Sequence, residues 1–127
     1  MKVIFAPEVE NDLFELVKIL VRRGYLGTYE FAVSYVEDLI HYIQTNIHTA
    51  IKKEAPAYFE QFGSDLWYFS YRRNQHTTWY VFFSVIGETY WIKYKANNHV
   101  VSQYLKYSYL FILFSLTLLS KVGSLRP

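Results

Sequence analysis

Residues 66–96, LWYFSYRRNQHTTWYVFFSVIGETYWIKYKA, decide the fold of this chain. They contain three runs rich in Tyr, Trp, Phe, Val and Ile, separated by the short segments RNQH and IGE. Aromatic and β-branched residues favour strands, and short breaks between such runs indicate turns. We therefore predict three consecutive antiparallel strands in this region.

A short strand and two helices are predicted before these strands. The apolar segment KVIFA ends at Pro7, which suits the first turn of a helix. Acidic residues then cluster where a helix would begin, and apolar residues recur at helical spacing, which predicts a helix over about residues 8–23. After the turn GYLGT, Thr28 is a suitable cap for a second helix over about residues 28–48.

This order of elements, β-α-α-β-β-β, predicts an α+β fold. An antiparallel helix hairpin is expected to pack on one face of a mainly antiparallel sheet, leaving the other face free for binding. Strict alternation in the last strand would put Tyr90, Ile92 and Tyr94 on one face, and Thr89, Trp91, Lys93 and Lys95 on the other.

Composition limits the classes of function. The chain has 127 residues, 52% of them hydrophobic, which fits one domain with an ample core. It has no cysteine, which excludes disulfides and thiolate metal sites, and its four histidines show no metal-ligand spacing. We expect neither metal nor cofactor. The N-terminus lacks the apolar stretch of a signal peptide, so a cytoplasmic location is expected.

The charge is unevenly distributed. Residues 1–50 carry four basic and seven acidic side chains, whereas residues 51–127 carry nine basic and four acidic ones. This asymmetry is compatible with an anionic partner for the second half of the chain, and equally with ordinary solvated surface charge.

The element order, the arginine pair Arg72 and Arg73, the WYVFF strand and the closing KYKANNHVVSQYL resemble the RelE/ParE superfamily of type II toxins. The resemblance covers about residues 2–105 and implies a RelE-like toxin domain at 1–105, followed by an extension at 106–127. It also implies neutralisation by a cognate antitoxin protein. RelE-like members cleave mRNA in the ribosomal A site without metal, whereas ParE-like members poison DNA gyrase without a nuclease site.

The resemblance to the ribonuclease members implies catalytic roles for His99, Arg72 and Arg73. Metal-independent cleavage needs the 2′-hydroxyl deprotonated, the phosphorane charge stabilised and the leaving oxygen protonated. His99 follows the last predicted strand, where such toxins often place a proton-transferring His or Tyr, and the arginines would bind the phosphate. The further residues expected to bind RNA are Lys52, Lys53, Tyr80, Lys95 and Asn98.

These side chains can act together only if they meet. The first and third of three hairpin-linked strands run in the same direction, so their ends lie at one edge of the sheet. We therefore predict that Arg72, Arg73, Lys95 and His99 converge on one phosphate. Trp79, Tyr80 or Tyr94 would stack on bases if they lie on an open face.

Other interpretations remain open. Tyr80 stands where many ribonuclease members carry an arginine, so two alternatives to an endoribonuclease are kept: a ParE-like gyrase toxin, or a non-toxic relative that self-associates. Solvated polar residues are ordinary in a hairpin turn such as the one after Arg72 and Arg73. His99 could cap the strand end, and Lys52 and Lys53 could be surface charge.

The segment YSYLFILFSLTLLS, residues 107–120, is uncharged and strongly apolar. A spanning helix needs about 20 apolar residues, so stable membrane insertion is not expected from this shorter run. An exposed apolar run would favour burial against the body or against a second copy, which makes a homo-oligomer formed through this tail a further possibility.

Overall fold

A computed structural model describes residues 1–24, 28–101 and 104–105. The elements follow the order β1 (Lys2–Phe5), α1 (Pro7–Arg22), α2 (Tyr29–Asn46), β2 (Lys53–Glu54), a 3-10 helix (Ala57–Phe62), β3 (Trp67–Arg72), β4 (Thr78–Ile86) and β5 (Thr89–Asn97). Residues 98–101 and 104–105 are also helical. The predicted α+β class is confirmed, and both helices begin and end within two residues of their predicted bounds. The tail at 106–127 lies outside the described residues.

The strands form one mixed sheet in the order β1-β5-β4-β3-β2. β1 pairs in parallel with β5, and the other neighbouring strands are antiparallel. The three consecutive antiparallel strands are therefore confirmed. The sequence did not predict β2 or the 3-10 helix, because a strand of two residues is too short to show an alternating pattern.

Local sequence explains where the two helices begin. Pro7 occupies the first turn of α1, followed by Glu8 and Glu10, whose charges complement the positive end of the helix dipole. The backbone N–H of Phe31 donates to the Thr28 Oγ1 at 3.3 Å, so the predicted cap of α2 is confirmed.

Two apolar cores lie on the two faces of the sheet. On the helix side, Leu13 of α1 and Leu39 of α2 pack against the sheet, whose strand residues in this core include Phe69, Val81, Phe83 and Ile92. On the opposite side, Phe59 and the helical Val101 cover Phe82 and Ala96. The second core is the smaller one, and the described residues cover this face of the sheet only in part.

A β-bulge changes the predicted alternation in β5. Phe82 pairs with Tyr94 and Phe83 pairs with Ile92, so Lys93 is an extra residue without a cross-strand partner. Beyond the bulge the side chains exchange faces: Lys95 pairs with Val81 of the helix-side core, while Tyr94 joins the opposite core. The prediction that Lys95 shares a face with Trp91 was therefore wrong.

Candidate functional site

The ends of β3 and β5 lie at the same edge of the sheet. Arg72 pairs with Thr78 at the start of β4, and the next residue, Trp79, pairs with Asn97 at the end of β5. This juxtaposition agrees with the sequence-based argument about strand direction. However, the side chains predicted to converge there are divided between the two faces of the sheet.

Arg72 lies on the face of the sheet that the two long helices do not cover. It alternates along β3 with Ser70 and Tyr68, whereas Phe69 belongs to the helix-side core. Cross-strand pairing places Lys53 beside Tyr68, and Tyr80 beside Ser70. We call this surface the open face and define it by Lys53, Tyr68, Ser70, Arg72 and Tyr80.

The open face combines cations with aromatic rings. The centroids of the Tyr68 and Tyr80 rings are 6.1 Å apart, and both side chains are half-buried. Burial raises the pKa of the Tyr68 phenol, with a smaller contribution from Tyr80, so this hydroxyl remains protonated at neutral pH. Arg72 is exposed and makes no ion pair or hydrogen bond with any described residue. Its five donors are therefore available to a ligand.

Arg73 lies on the helix side. Its guanidinium carbon is 4.1 Å from the centroid of the Tyr35 ring, and its nitrogens lie 3.4 Å from Asp38 Oδ2 and 3.3 Å from the Tyr71 hydroxyl. The side chain is only 16% exposed, whereas that of Asp38 is 68% exposed. These contacts tie the β3–β4 turn to α2. They divide the arginine pair into one free and one packed guanidinium.

Two predicted lysines are also engaged on the helix side. The Lys95 Nζ lies 5.4 Å from the Trp79 ring centroid. Burial lowers the pKa of the Lys95 ammonium, and Asp12 of α1 opposes this shift in part. Lys52 donates to the Ala50 carbonyl at 3.0 Å and lies 5.8 Å from the ring centroid of Tyr90. Of the predicted lysines, only Lys53 belongs to the open face.

Asn98 joins the β3–β4 turn to the helical segment that begins at its own position. Its Oδ1 accepts from the Thr78 backbone N–H at 2.9 Å, and its Nδ2 donates to the His76 carbonyl at 3.3 Å. Both ends of the side-chain amide are thus used within the fold. This arrangement explains why an amide is suited to this position, and Asn98 is not a member of the open face.

His99 lies on the opposite side of the sheet from Arg72, in a cleft of ≈ 430 Å³ that we call the helix-side cleft. Its walls come from the C-terminal half of α1, from Tyr35 and Trp79, and from the β3–β4 turn and the residues after β5. Its polar lining residues are Arg23, Tyr35, Asn74, Thr77, Asn97 and His99. The structure therefore separates His99 from the open face, and the four predicted side chains do not meet on one surface.

The aromatic residues also differ in accessibility. Trp79 is 4% exposed, and its Nε1 donates to the Tyr35 hydroxyl at 3.0 Å. Tyr94 stacks on Phe62 with ring centroids 3.7 Å apart. Of the three rings predicted to meet bases, Tyr80 is therefore the one on the open face. Sequence reasoning missed Tyr68, although alternation of Tyr68, Ser70 and Arg72 along one strand was a readable signal.

Within residues 1–24, 28–101 and 104–105, no group of three His, Asp or Glu side chains could hold a metal ion. No helix in the described part of the chain is long and apolar enough to cross a membrane.

No protein-family model, curated protein or solved structure matches this chain.

Proposed function

We propose that this protein is a cytoplasmic toxin of the RelE/ParE type that binds RNA across the open face and acts as a metal-independent, ribosome-dependent mRNA endonuclease. The observation that carries the proposal is the strand register, which gathers Lys53, Tyr68, Arg72 and Tyr80 on one surface. A cognate antitoxin protein would neutralise it.

Single-stranded RNA requires both kinds of group that this surface offers. Cations bind the phosphates, and tyrosine rings stack on unpaired bases with little dependence on sequence. The unpaired Arg72 guanidinium can form two parallel hydrogen bonds with a phosphate, which a lysine cannot do. Adjacent tyrosine rings on β3 and β4 would hold a base beside that phosphate.

The same residues can perform part of the cleavage chemistry. Arg72 would stabilise the negative charge of the phosphorane as the 2′-hydroxyl loses its proton to a solvent water and its oxygen attacks the phosphorus. The Tyr68 phenol, held in its protonated form, would donate its proton to the departing 5′-oxygen. On this proposal, Arg72 and Tyr68 are catalytic residues, and Lys53 and Tyr80 bind the RNA.

A second function is favoured by one observation. His99, the residue predicted to transfer protons, lies in the helix-side cleft and not on the open face. A toxin that binds without cleaving, such as a ParE-like gyrase poison, does not need a proton-transfer residue beside its arginine. We therefore keep this as the alternative function.

Induced expression of the full chain tests both functions. We expect growth arrest and, by primer extension, cleavage within translated messages. Arg72→Gln should reduce cleavage by about 10²-fold, since it removes one charge-stabilising donor group from the transition state. Arg73→Gln should leave cleavage close to wild type, provided that both variants accumulate as folded protein.

The other outcomes separate the alternatives. Arrest with intact messages and gyrase-trapped DNA breaks would reject the nuclease and favour the gyrase poison. Normal growth at high levels of folded protein would reject both toxin functions and favour a non-toxic relative.

A further inference from the structure

The helix-side cleft has a lining that no part of the proposed function uses. Its surface is mixed in character: Leu16, Leu20 and Trp79 form an apolar floor, and exposed Ile19 and Val100 lie at its rim. A cleft of ≈ 430 Å³ lies within the size range of small-molecule sites, which are usually apolar with a few convergent polar groups.

The polar groups of the cleft are mainly hydrogen-bond donors. The Asn74 Oδ1 accepts from the backbone N–H groups of His76 and Thr77, at 2.8 and 2.9 Å. The Asn97 Oδ1 accepts from those of His99 and Val100, at 2.9 and 3.3 Å. The Oδ1 of each asparagine is thus already hydrogen-bonded within the fold. Its Nδ2 group has no protein partner among the described residues.

The remaining polar side chains of the cleft also offer donors and not acceptors. The Tyr35 hydroxyl accepts from the Trp79 indole, so its own hydrogen is left to donate. Arg23 and His99 have no side-chain hydrogen bond or ion pair within the described ranges. Among the described residues that line the cleft, none carries a side-chain carboxylate. A ligand in this cleft would meet donors and positive charge.

The walls of the cleft are also held in place. Asn98 fastens the β3–β4 turn, which contributes Asn74 and Thr77, to the segment that contributes His99. The packed Arg73 guanidinium lies against Tyr35 and the Lys95 ammonium lies against Trp79, so two further cations contact aromatic residues that line the cleft. The amides of Asn74 and Asn97 and the Tyr35 hydroxyl are therefore held in place, and orienting them costs little when an anion binds.

We propose that the helix-side cleft binds a small phosphomonoester with a planar apolar body, of the nucleoside monophosphate class. Arg23 and His99 bind the phosphate, the two asparagine Nδ2 groups complete its donors, and the apolar floor accommodates the base. This site is independent of the open face and of the proposed nuclease chemistry.

Isothermal titration of the full-length protein with adenosine 5′-monophosphate tests this site, with adenosine and inorganic phosphate as comparison ligands. We expect the monophosphate to bind at least about tenfold more tightly than either comparison ligand, since each of these lacks one half of the recognised structure. Arg23→Gln and His99→Gln should each weaken binding of the monophosphate by about tenfold.

Matched controls are available beside both residues. Arg22 is the preceding exposed arginine of α1 and His76 is an exposed turn histidine, and neither lines the cleft. Arg22→Gln and His76→Gln should therefore bind the monophosphate like wild type, and so should the open-face variant Arg72→Gln. No binding of the monophosphate at millimolar concentration would overturn the proposal. Equal affinity for adenosine, equal affinity for inorganic phosphate, or equal losses in Arg22→Gln and Arg23→Gln would overturn it as well.

Discussion

Arg72 and Arg73 are neighbours in sequence, yet their side chains lie on opposite sides of the sheet. The sequence correctly indicated that two cations stand at the end of a strand, and alternation implies that consecutive side chains diverge. The sequence did not show which of the two arginines is packed, because Tyr35 and Asp38, which hold Arg73 on the helix side, come from α2, and Asp38 lies 35 positions earlier. The residue type alone does not distinguish an arginine that packs on an aromatic ring from one that is free.

Asn98 illustrates the same limit at another residue. Its position after the last strand suggested a role in RNA binding, but both ends of its amide are bonded to backbone groups of the β3–β4 turn region. We expect Asn98→Ala to lower the free energy of unfolding by about 1–2 kcal/mol, because two hydrogen bonds are lost. Urea denaturation would measure this change.

Gln75→Ala is the matched control for Asn98→Ala. Gln75 is an exposed residue of the same turn, and no hydrogen bond of its side chain is found among the described residues. We expect Gln75→Ala to stay within about 0.5 kcal/mol of wild type. Equal stability of the two variants would show that the Asn98 bridge contributes nothing to folding.

At the level of elements, the long, strongly patterned segments were predictable and the irregular ones were not. Helix spacing, Pro7 and Thr28 indicated α1 and α2, and aromatic runs indicated β3, β4 and β5. The β5 bulge was not predicted, since nothing in the residue types around Lys93 marks an extra residue. Because Lys93 is the extra residue, Lys95 lies on the same face as Ile92 and not on that of Trp91. Lys95 is therefore on the helix side, away from Arg72.

The new position of Lys95 has a measurable consequence. Its side chain is half-buried, and desolvation of the ammonium lowers its pKa, so the charged form is less stable in the folded state than in the unfolded state. We expect Lys95→Met to raise the free energy of unfolding at about pH 7, by on the order of 1 kcal/mol. Urea denaturation of both proteins from neutral to alkaline pH would test this.

The sign of the pH dependence follows from the direction of this shift. The folded-state pKa of Lys95 lies below the unfolded value of 10.5, so between the two values the unfolded chain binds more protons. Wild-type stability therefore rises relative to Lys95→Met as the pH rises through this window. Tyr68 and Tyr94 also titrate in alkaline solution, but both proteins contain them and their effects cancel. A difference that is constant with pH would contradict a buried Lys95 ammonium.

At the level of the whole molecule, the sheet separates two surfaces of different character. One is the open face, where cations and tyrosines share one surface that we propose binds an extended RNA strand. The other is the helix-side cleft, which is lined by hydrogen-bond donors and which we propose binds a small anion. The α+β class and the shared edge of β3 and β5 were predictable from sequence. The division of Arg72 from His99 was not, because it depends on tertiary packing across the sheet.

The adjacent arginines provide a matched pair of variants for the open face. Fluorescence anisotropy of a labelled single-stranded RNA, at one fixed salt concentration, would give the affinity of wild type, Arg72→Gln and Arg73→Gln. We expect Arg72→Gln to weaken RNA binding by about tenfold or more while its stability is unchanged, because it removes a charged hydrogen-bond donor from an exposed site. Arg73→Gln should bind RNA within about twofold of wild type but lose about 1 kcal/mol of unfolding free energy with its ring contact. Wild-type affinity in Arg72→Gln, or an equal loss of affinity in a folded Arg73→Gln, would contradict RNA binding at the open face.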